Sequence, residues 1–332
     1  AGKNWAEAEA DVAEAVDFCR YYAHQAVAMA APLPVHEYPG ERNESWLQAI
    51  GVGAVIPPWN FPLAILAGMA MGPVAAGNTV VLKPASNTPI IGWGFMQLAA
   101  EAGVPPGVIN YVPGSGGEIG DHLVDHPRIR FVNFTGSKEI GLRIAQRSAI
   151  VHPGQRWLKR AYMEMGGKDA LIVDETADLE RAADDAVRSA FGFQGQKCSA
   201  CSRLIAVGSI YDRLLDMVVE RAGALEVGPA IGNHAMGPVI SAAQHKAILA
   251  EVEAGREQAE LVAGGSAIDL DGGYYIEPTI FADVAPDARL AQHEIFGPVL
   301  SVIRVDDFDV ALHVANGTEL SLIHISEPTR PM

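Results

Sequence analysis

Short apolar runs, rich in β-branched residues and closed by Gly or Pro, alternate along the chain with stretches whose apolar residues recur every three to four positions. This exchange of a strand period for a helix period predicts βαβ units around a parallel sheet. The strands fall at 49–56 (AIGVGAVI), 78–83 (NTVVLK), 108–112 (VINYV), 129–134 (IRFVNF) and 170–174 (ALIVD), with crossover helices near 63–76, 88–102, 117–125 and 138–149. Strands at 203–208, 260–265 and 299–305 flank helices near 178–191, 210–223 and 241–254, which predicts a second α/β unit. The chain opens in amphipathic helix (AGKNWAEAEADVAEAVDFCRYY) with no start signal, so it reads as clipped at its front. A Pro-rich joint follows at 32–39. The closing SLIHISEPTRPM keeps neither period and reads as foreign sequence. No period of about 20 to 50 residues recurs, which sets repeat architectures aside.

Composition narrows the picture. With 332 residues, 49% of them hydrophobic, the chain can build two domains of ordinary size. Its 24 basic against 40 acidic residues give a net charge of −16, and no Lys/Arg run offsets that field, so no nucleic-acid partner is expected. The most apolar segment, 63–76, is 14 residues long. A bilayer-spanning helix needs roughly 20, so the segment reads as a buried helix and no membrane partner is expected. Three cysteines, Cys19, Cys198 and Cys201, cannot make a disulfide framework, and no basic-then-apolar leader is present, which points to the cytoplasm.

Two of those cysteines lie in GFQGQKCSACSR. A C-x-x-C spacing suggests zinc or a redox pair. A structural zinc needs four ligands, and the only other cysteine is Cys19, with no His pair at H-x3-5-H spacing near the two cysteines, so no metal is expected. A redox pair sits at the start of a helix, whereas here a helix precedes the pair and a strand follows it. The remaining reading is a single nucleophile, Cys198, in a loop cleared by Gly195, with Cys201 a buried structural thiol.

Other motifs are weaker taken singly. Gly114-Ser-Gly116-Gly-Glu-Ile-Gly120 follows a strand and opens a helix, but its spacing is not G-x-G-x-x-G, and the next strand ends in Phe134-Thr-Gly136-Ser137, with a further Gly141, rather than in an acid. These turns read equally as tight turns or as a nucleotide site. Lys83, fixed by Pro84 at a strand end, could hold a ribose or simply reach solvent. In Pro57-Pro-Trp-Asn-Phe-Pro62 a stiff loop presents Asn60, either as an oxyanion donor or as a side chain satisfying its own turn. Glu164, followed by Gly166 and Gly167, is a general-base candidate or an ordinary surface carboxylate. Together these groups suggest thiol-mediated aldehyde oxidation: a thiolate adds to the carbonyl, donors hold the oxyanion, hydride leaves to a nicotinamide, and a carboxylate activates water.

PWNFP, KPAS, FTGS with Gly141, EMGGK, GQKCSA and EIFGPV stand in this order, with 34 residues from Glu164 to Cys198 and 96 from Cys198 to Glu294. In these motifs and intervals the chain resembles the aldehyde dehydrogenases from Ala1 to about Glu319. The resemblance implies a Rossmann-type parallel-sheet cofactor domain and a second α/β catalytic domain. Both would be partial: 1–165 with an oligomerisation hairpin at about 35–50, and 166–319, with 320–332 a non-native tail. It implies Cys198 as nucleophile, Glu164 as general base, and Asn60 with the Cys198 N–H as oxyanion hole. NAD would be held by Ile56, Pro58, Trp59, Lys83, Ser86, Gly116, Gly120, Phe134, Gly136, Ser137, Gly141, Glu294 and Phe296. Ser86 stands where NAD-strict relatives carry Glu, which leaves NADP use open. The longer runs SAFGFQGQKCSACSRLIAV, GQRWLKRAYMEMGGKDALIVD and GGYYIEPTIFADV resemble the branch that oxidises glutamate γ-semialdehyde in proline breakdown. There Ser199 would meet the amino-acid end of the substrate and Phe61 would line its pocket. The family also implies a homo-oligomer.

Overall fold

The run Val52–Ile56 (β1) is apolar throughout because it is buried on both faces: it pairs in parallel with Thr79–Leu82 (β2) on one side and Phe131–Thr135 (β4) on the other. Alternate residues serve opposite layers. Val55 packs with Leu66, Leu82, Phe95 and Phe131, while Ala54 and Ile56 pack with Val124, Ile129, Val132 and Ile144. In this computed structural model, which describes residues 1–322, Ile109–Tyr111 (β3) and Arg160–Glu164 (β5) complete a five-stranded sheet in the order β3-β2-β1-β4-β5. Helices Ala64–Ala75 (α2), Pro89–Glu101 (α3), Asp121–Asp125 (α4) and Lys138–Ser148 (α5) connect the strands, after the long opening helix Trp5–Met29 (α1).

The chain divides into two compact units, one of residues Glu9–Glu164 and one of Ala1–Ala8 with the chain from Met165 onward. The second unit is built on a sheet ordered Asp169–Val173 (β6), Cys201–Val207 (β7), Val299–Val305 (β12), Thr279–Ala282 (β11) and Glu260–Ala263 (β8), with β8 alone antiparallel. Leu204, Ala206, Leu300 and Val302 face one core, and Ile205, Val207, Val299, Ile303 and Val305 the other. Its helices are Leu179–Phe191 (α6), Gly208–Gly223 (α7), Ala242–Gly255 (α8), Arg289–Gln292 (α9) and Phe308–Asn316 (α10), and a small hairpin joins Ala267–Ile268 (β9) to Tyr275–Ile276 (β10).

Several elements differ from the pattern reading. The helix expected over 117–125 is a π-turn at Gly116–Gly120 running into the short α4. The expected hairpin at 35–50 carries one antiparallel bridge, Leu33 to Ser45. Strand β5 falls outside the pattern reading, because its residues RAYME carry a charge at each end and are mostly exposed, as suits a sheet edge. Of the expected tail, residues 323–332 lie outside the described residues; Leu322 donates its N–H to the Gly166 carbonyl at 3.2 Å.

Candidate active site

In the unit of residues 9–164 the candidate side chains collect at the carboxyl edge of the sheet, where open α/β sheets hold ligands. The loop after β1 carries Pro58, Trp59, the buried Asn60 and Phe61. Asp11, itself buried on α1, accepts the N–H groups of Ala64 at 3.1 Å and Leu63 at 3.4 Å, which ties down the end of that loop. Since no side chain within α2 caps its own N-terminus, Asp11 does so from α1.

Lys83, after β2, does not reach solvent. It is 4% exposed, and its Nζ donates to the carbonyls of Pro84 at 2.7 Å and Gly114 at 3.2 Å. Burial lowers its pKa. The Ser86 hydroxyl turns to the same Gly114 carbonyl at 3.4 Å. At the end of β4, Ser137 caps α5 through the Ile140 N–H, and Gly136 leaves room for the Phe134 ring, which a methyl there would meet at 2.6 Å. Glu164 closes β5, its backbone carbonyl taking the Gly136 N–H at 3.0 Å, and partial desolvation raises its carboxyl pKa.

These residues fit a dinucleotide. An ammonium and a hydroxyl after β2 meet a carbonyl after β3, groups that a ribose diol can bond, while a methyl on Gly116 or Gly120 would meet no atom within 4 Å, so the backbone there is open to an approaching phosphate.

The other unit places its candidates at the opposite edge, where the chain enters the strands. Strands β6, β7 and β12 are adjacent and parallel, so the turns leading into them, at Gly166–Lys168, Cys198–Ala200 and Glu294–Pro298, lie side by side although far apart in sequence. Glu294 Oε1 accepts the Gly167 N–H at 3.1 Å. The packing forces Gly167, where a methyl would stand 2.3 Å from the Cys198 carbonyl, while a methyl on Gly166 would stand 2.0 Å from Glu294 Oε2 and displace that side chain.

Cys198 is partly buried. Desolvation raises its thiol pKa, the nearby Asp169 and Glu294 carboxylates push the same way, and the N–H groups of Ser199 and Cys198 oppose them. Ser199 is exposed. Cys201 is buried, its thiol pKa pushed up to about 12, chiefly by desolvation. The two thiols therefore differ in kind. Glu294 likewise has its pKa raised by burial, with the Gly167 N–H and Lys168 opposing.

Sequence reading missed much of what shapes this region. Phe193 and Gln194 both adopt left-handed backbone angles (φ 52° and 54°) just before Gly195, an arrangement that costs of order 1–2 kcal/mol per residue. It is held by the Glu7 carboxylate, which accepts the Phe193 N–H at 2.7 Å, and by the buried Gln196, whose Oε1 accepts the Ile240 N–H at 2.9 Å. Phe296 is also left-handed (φ 57°), and Gln244 donates to its carbonyl at 3.4 Å. Arg203, 2% exposed, donates to the carbonyls of Lys168, Val314 and Ala315 at 2.7–2.9 Å. Only Gly195 carries a sequence signal for any of this. Among the described residues, no three His, Cys, Asp or Glu side chains gather as metal ligands, and no helix is long and apolar enough to cross a membrane.

Residues 1–324 match the model of the aldehyde dehydrogenase family. A 1-pyrroline-5-carboxylate dehydrogenase of Geobacillus sp. (strain WCH70) is 53% identical over 97% of this chain and 62% of its own length. The crystal structure of a 1-pyrroline-5-carboxylate dehydrogenase from Thermus with bound NAD superposes with a TM-score of 0.94 at 56% identity, covering 95% of this chain and 61% of that one. A γ-glutamyl-γ-aminobutyraldehyde dehydrogenase from Burkholderia cenocepacia gives a TM-score of 0.86 at 39% identity, over 96% of this chain and 64% of that one. The chain thus spans about 62% of the length of the curated relatives it matches.

Proposed function

We propose, from the premise that the chain belongs to the aldehyde dehydrogenase family, that it carries the machinery for NAD-dependent oxidation of L-glutamate γ-semialdehyde, the open form of 1-pyrroline-5-carboxylate, to L-glutamate in proline breakdown. The observation that carries this reading is the packing of the Cys198 loop and the Glu294 carboxylate against Gly166–Gly167, which sets a thiol and a carboxylate in one fixed frame. The relatives' names supply the substrate.

Cys198 forms a carbon–sulfur bond to the aldehyde carbon, and the carbonyl π electrons move to oxygen. The Asn60 amide and the Cys198 N–H stabilise that oxyanion. Bound NAD supplies the two-electron acceptor for the hydride. Glu164 then takes a proton from water, whose oxygen attacks the thioester carbon as the sulfur leaves. Its raised pKa suits a base that must also give the proton up again. Desolvation and the Asp169 and Glu294 carboxylates raise the pKa of the Cys198 thiol, so in the first step Glu164 takes the thiol proton and passes it to solvent before it serves the water. Ser199 meets the amino-acid end of the substrate and Phe61 lines its pocket.

Lys83 and Ser86 hold the adenosine ribose, and Ser86 leaves room for NADP. Gly116, Gly120, Phe134, Gly136, Ser137 and Gly141 border the pyrophosphate, Ile56, Pro58 and Trp59 the path of the cofactor, and Glu294 and Phe296 the nicotinamide ribose. The exposed Leu33, Val35, Trp46 and Leu47 support assembly with further copies, and unpaired cysteines support the cytoplasm.

NADH formation by the chain with pyrroline-5-carboxylate, against simple aldehydes and with Cys198→Ser as control, tests the reading. A rate highest with pyrroline-5-carboxylate and absent in the variant is expected; equal rates in both proteins would overturn it. A second reading takes only the dinucleotide features of residues 9–164, the Lys83 and Ser86 contacts to Gly114 and the open Gly116 and Gly120, so that the chain binds NAD without turnover. Measurable NAD binding with no NADH formed would select that one.

A further inference from the structure

Beside Glu294 lies a group that the proposed chemistry leaves unused. Lys168 is 2% exposed, and its Nζ has no hydrogen-bond partner among the described residues. A buried amine without a partner is costly, so its place requires a reason. Its backbone is fixed on both sides: the preceding Gly167 N–H binds Glu294 Oε1, and the Lys168 carbonyl accepts Arg203 Nε at 2.7 Å. Lys168 and Glu294 line one cavity of ≈ 20 Å³, together with Lys197, Ser202 and Phe296. A single water needs about 10–15 Å³ of such space and two to four polar partners. Burial brings the Lys168 pKa down to about 7, with Arg203 acting in the same direction and Glu294, Glu251 and Cys201 against it. The amine keeps N–H donors in either protonation state.

We propose that Lys168 is a positioning residue for Glu294: through one water in the shared cavity it holds the carboxylate in the orientation that receives the nicotinamide ribose. This rests on the reading of Glu294 given above. The glycine N–H fixes one carboxylate oxygen, and the bridged amine fixes the other side.

The test measures dissociation constants for NAD and for AMP, which lacks the nicotinamide ribose, on the full chain and on Lys168→Met, Glu294→Gln and the double variant. Methionine fills the same space without the charge, so thermal stability is expected to hold or rise. Loss of one charge-assisted hydrogen bond corresponds to about tenfold weaker NAD binding in K168M, with AMP binding unchanged. The double variant is expected to bind NAD no more weakly than E294Q alone. If E294Q binds NAD weakly while K168M does not, or if the two losses multiply, the Lys168 proposal fails. If E294Q binds NAD like the parent, the reading of Glu294 fails instead, and a crystal structure of the chain decides Lys168 independently of any dinucleotide. One water within hydrogen-bond reach of both Lys168 Nζ and the Glu294 carboxylate upholds the bridge; an amine turned to another group overturns it.

Discussion

Glu294 and Gly167 hold one another across 127 positions of sequence, the carboxylate Oε1 accepting the backbone N–H at 3.1 Å. The contact exists because two parallel strands, β6 and β12, flank β7 and begin at the same edge of one sheet. Through it a carboxylate whose pKa burial raises gains a donor favouring its charged form.

Replacing the two glycines separates their tasks. Gly167→Ala sets a methyl 2.3 Å from the Cys198 carbonyl, a backbone atom that cannot step aside, so we expect a loss of about 1–3 kcal/mol in urea unfolding together with loss of activity. The nearest atoms to a methyl on Gly166 are those of the Glu294 carboxylate, the movable end of a side chain, so the fold should survive Gly166→Ala while NAD binding falls.

The charge around Cys198 predicts its reactivity. Because desolvation and the Asp169 and Glu294 carboxylates raise its pKa, the rate of iodoacetamide alkylation should climb with pH through a midpoint above that of a free thiol. Asp169→Asn removes a like charge, so it should lower that midpoint and speed alkylation at pH 8 severalfold. Cys201 should stay unlabelled in the folded chain, and Cys201→Ser should leave function largely intact, whereas Cys198→Ser abolishes it.

Arg203 serves three carbonyls at once, two of them near the C-terminus of α10 and one at the Gly167–Lys168 turn. Arg203→Met leaves those acceptors buried and unpaired, and should cost about 3 kcal/mol by denaturant unfolding.

Asp11 caps α2 from another helix. Asp11→Ala should cost about 1 kcal/mol and loosen the loop that carries Asn60, visible as faster amide exchange at Leu63 and Ala64.

The parallel strands are legible because burial on both faces writes itself as apolar runs such as VGAVI, unbroken, and VLSVIRV, interrupted by Ser301 and Arg304. Strand β5 is not, since an edge strand exposed to water carries no such run; yet it ends in Glu164, which only its motif reveals. Cys198 could be singled out by excluding metal and redox pairs, a matter of spacing. The left-handed Phe193 and Gln194 could not be foreseen, because φ above zero is normally announced by glycine and here is enforced by Glu7, 186 positions away from Phe193. Lys168 and Arg203 look like surface residues in one dimension and are buried only because three strand entries converge around them.

The most direct measurement mixes the chain with NAD and glutamate γ-semialdehyde, quenches in acid within the first turnover, and maps the digest by mass spectrometry. The account predicts a glutamyl thioester on the peptide holding Cys198, confined to that sulfur. No acyl mass on that peptide, or one carried by Cys201 or Cys19, would contradict it.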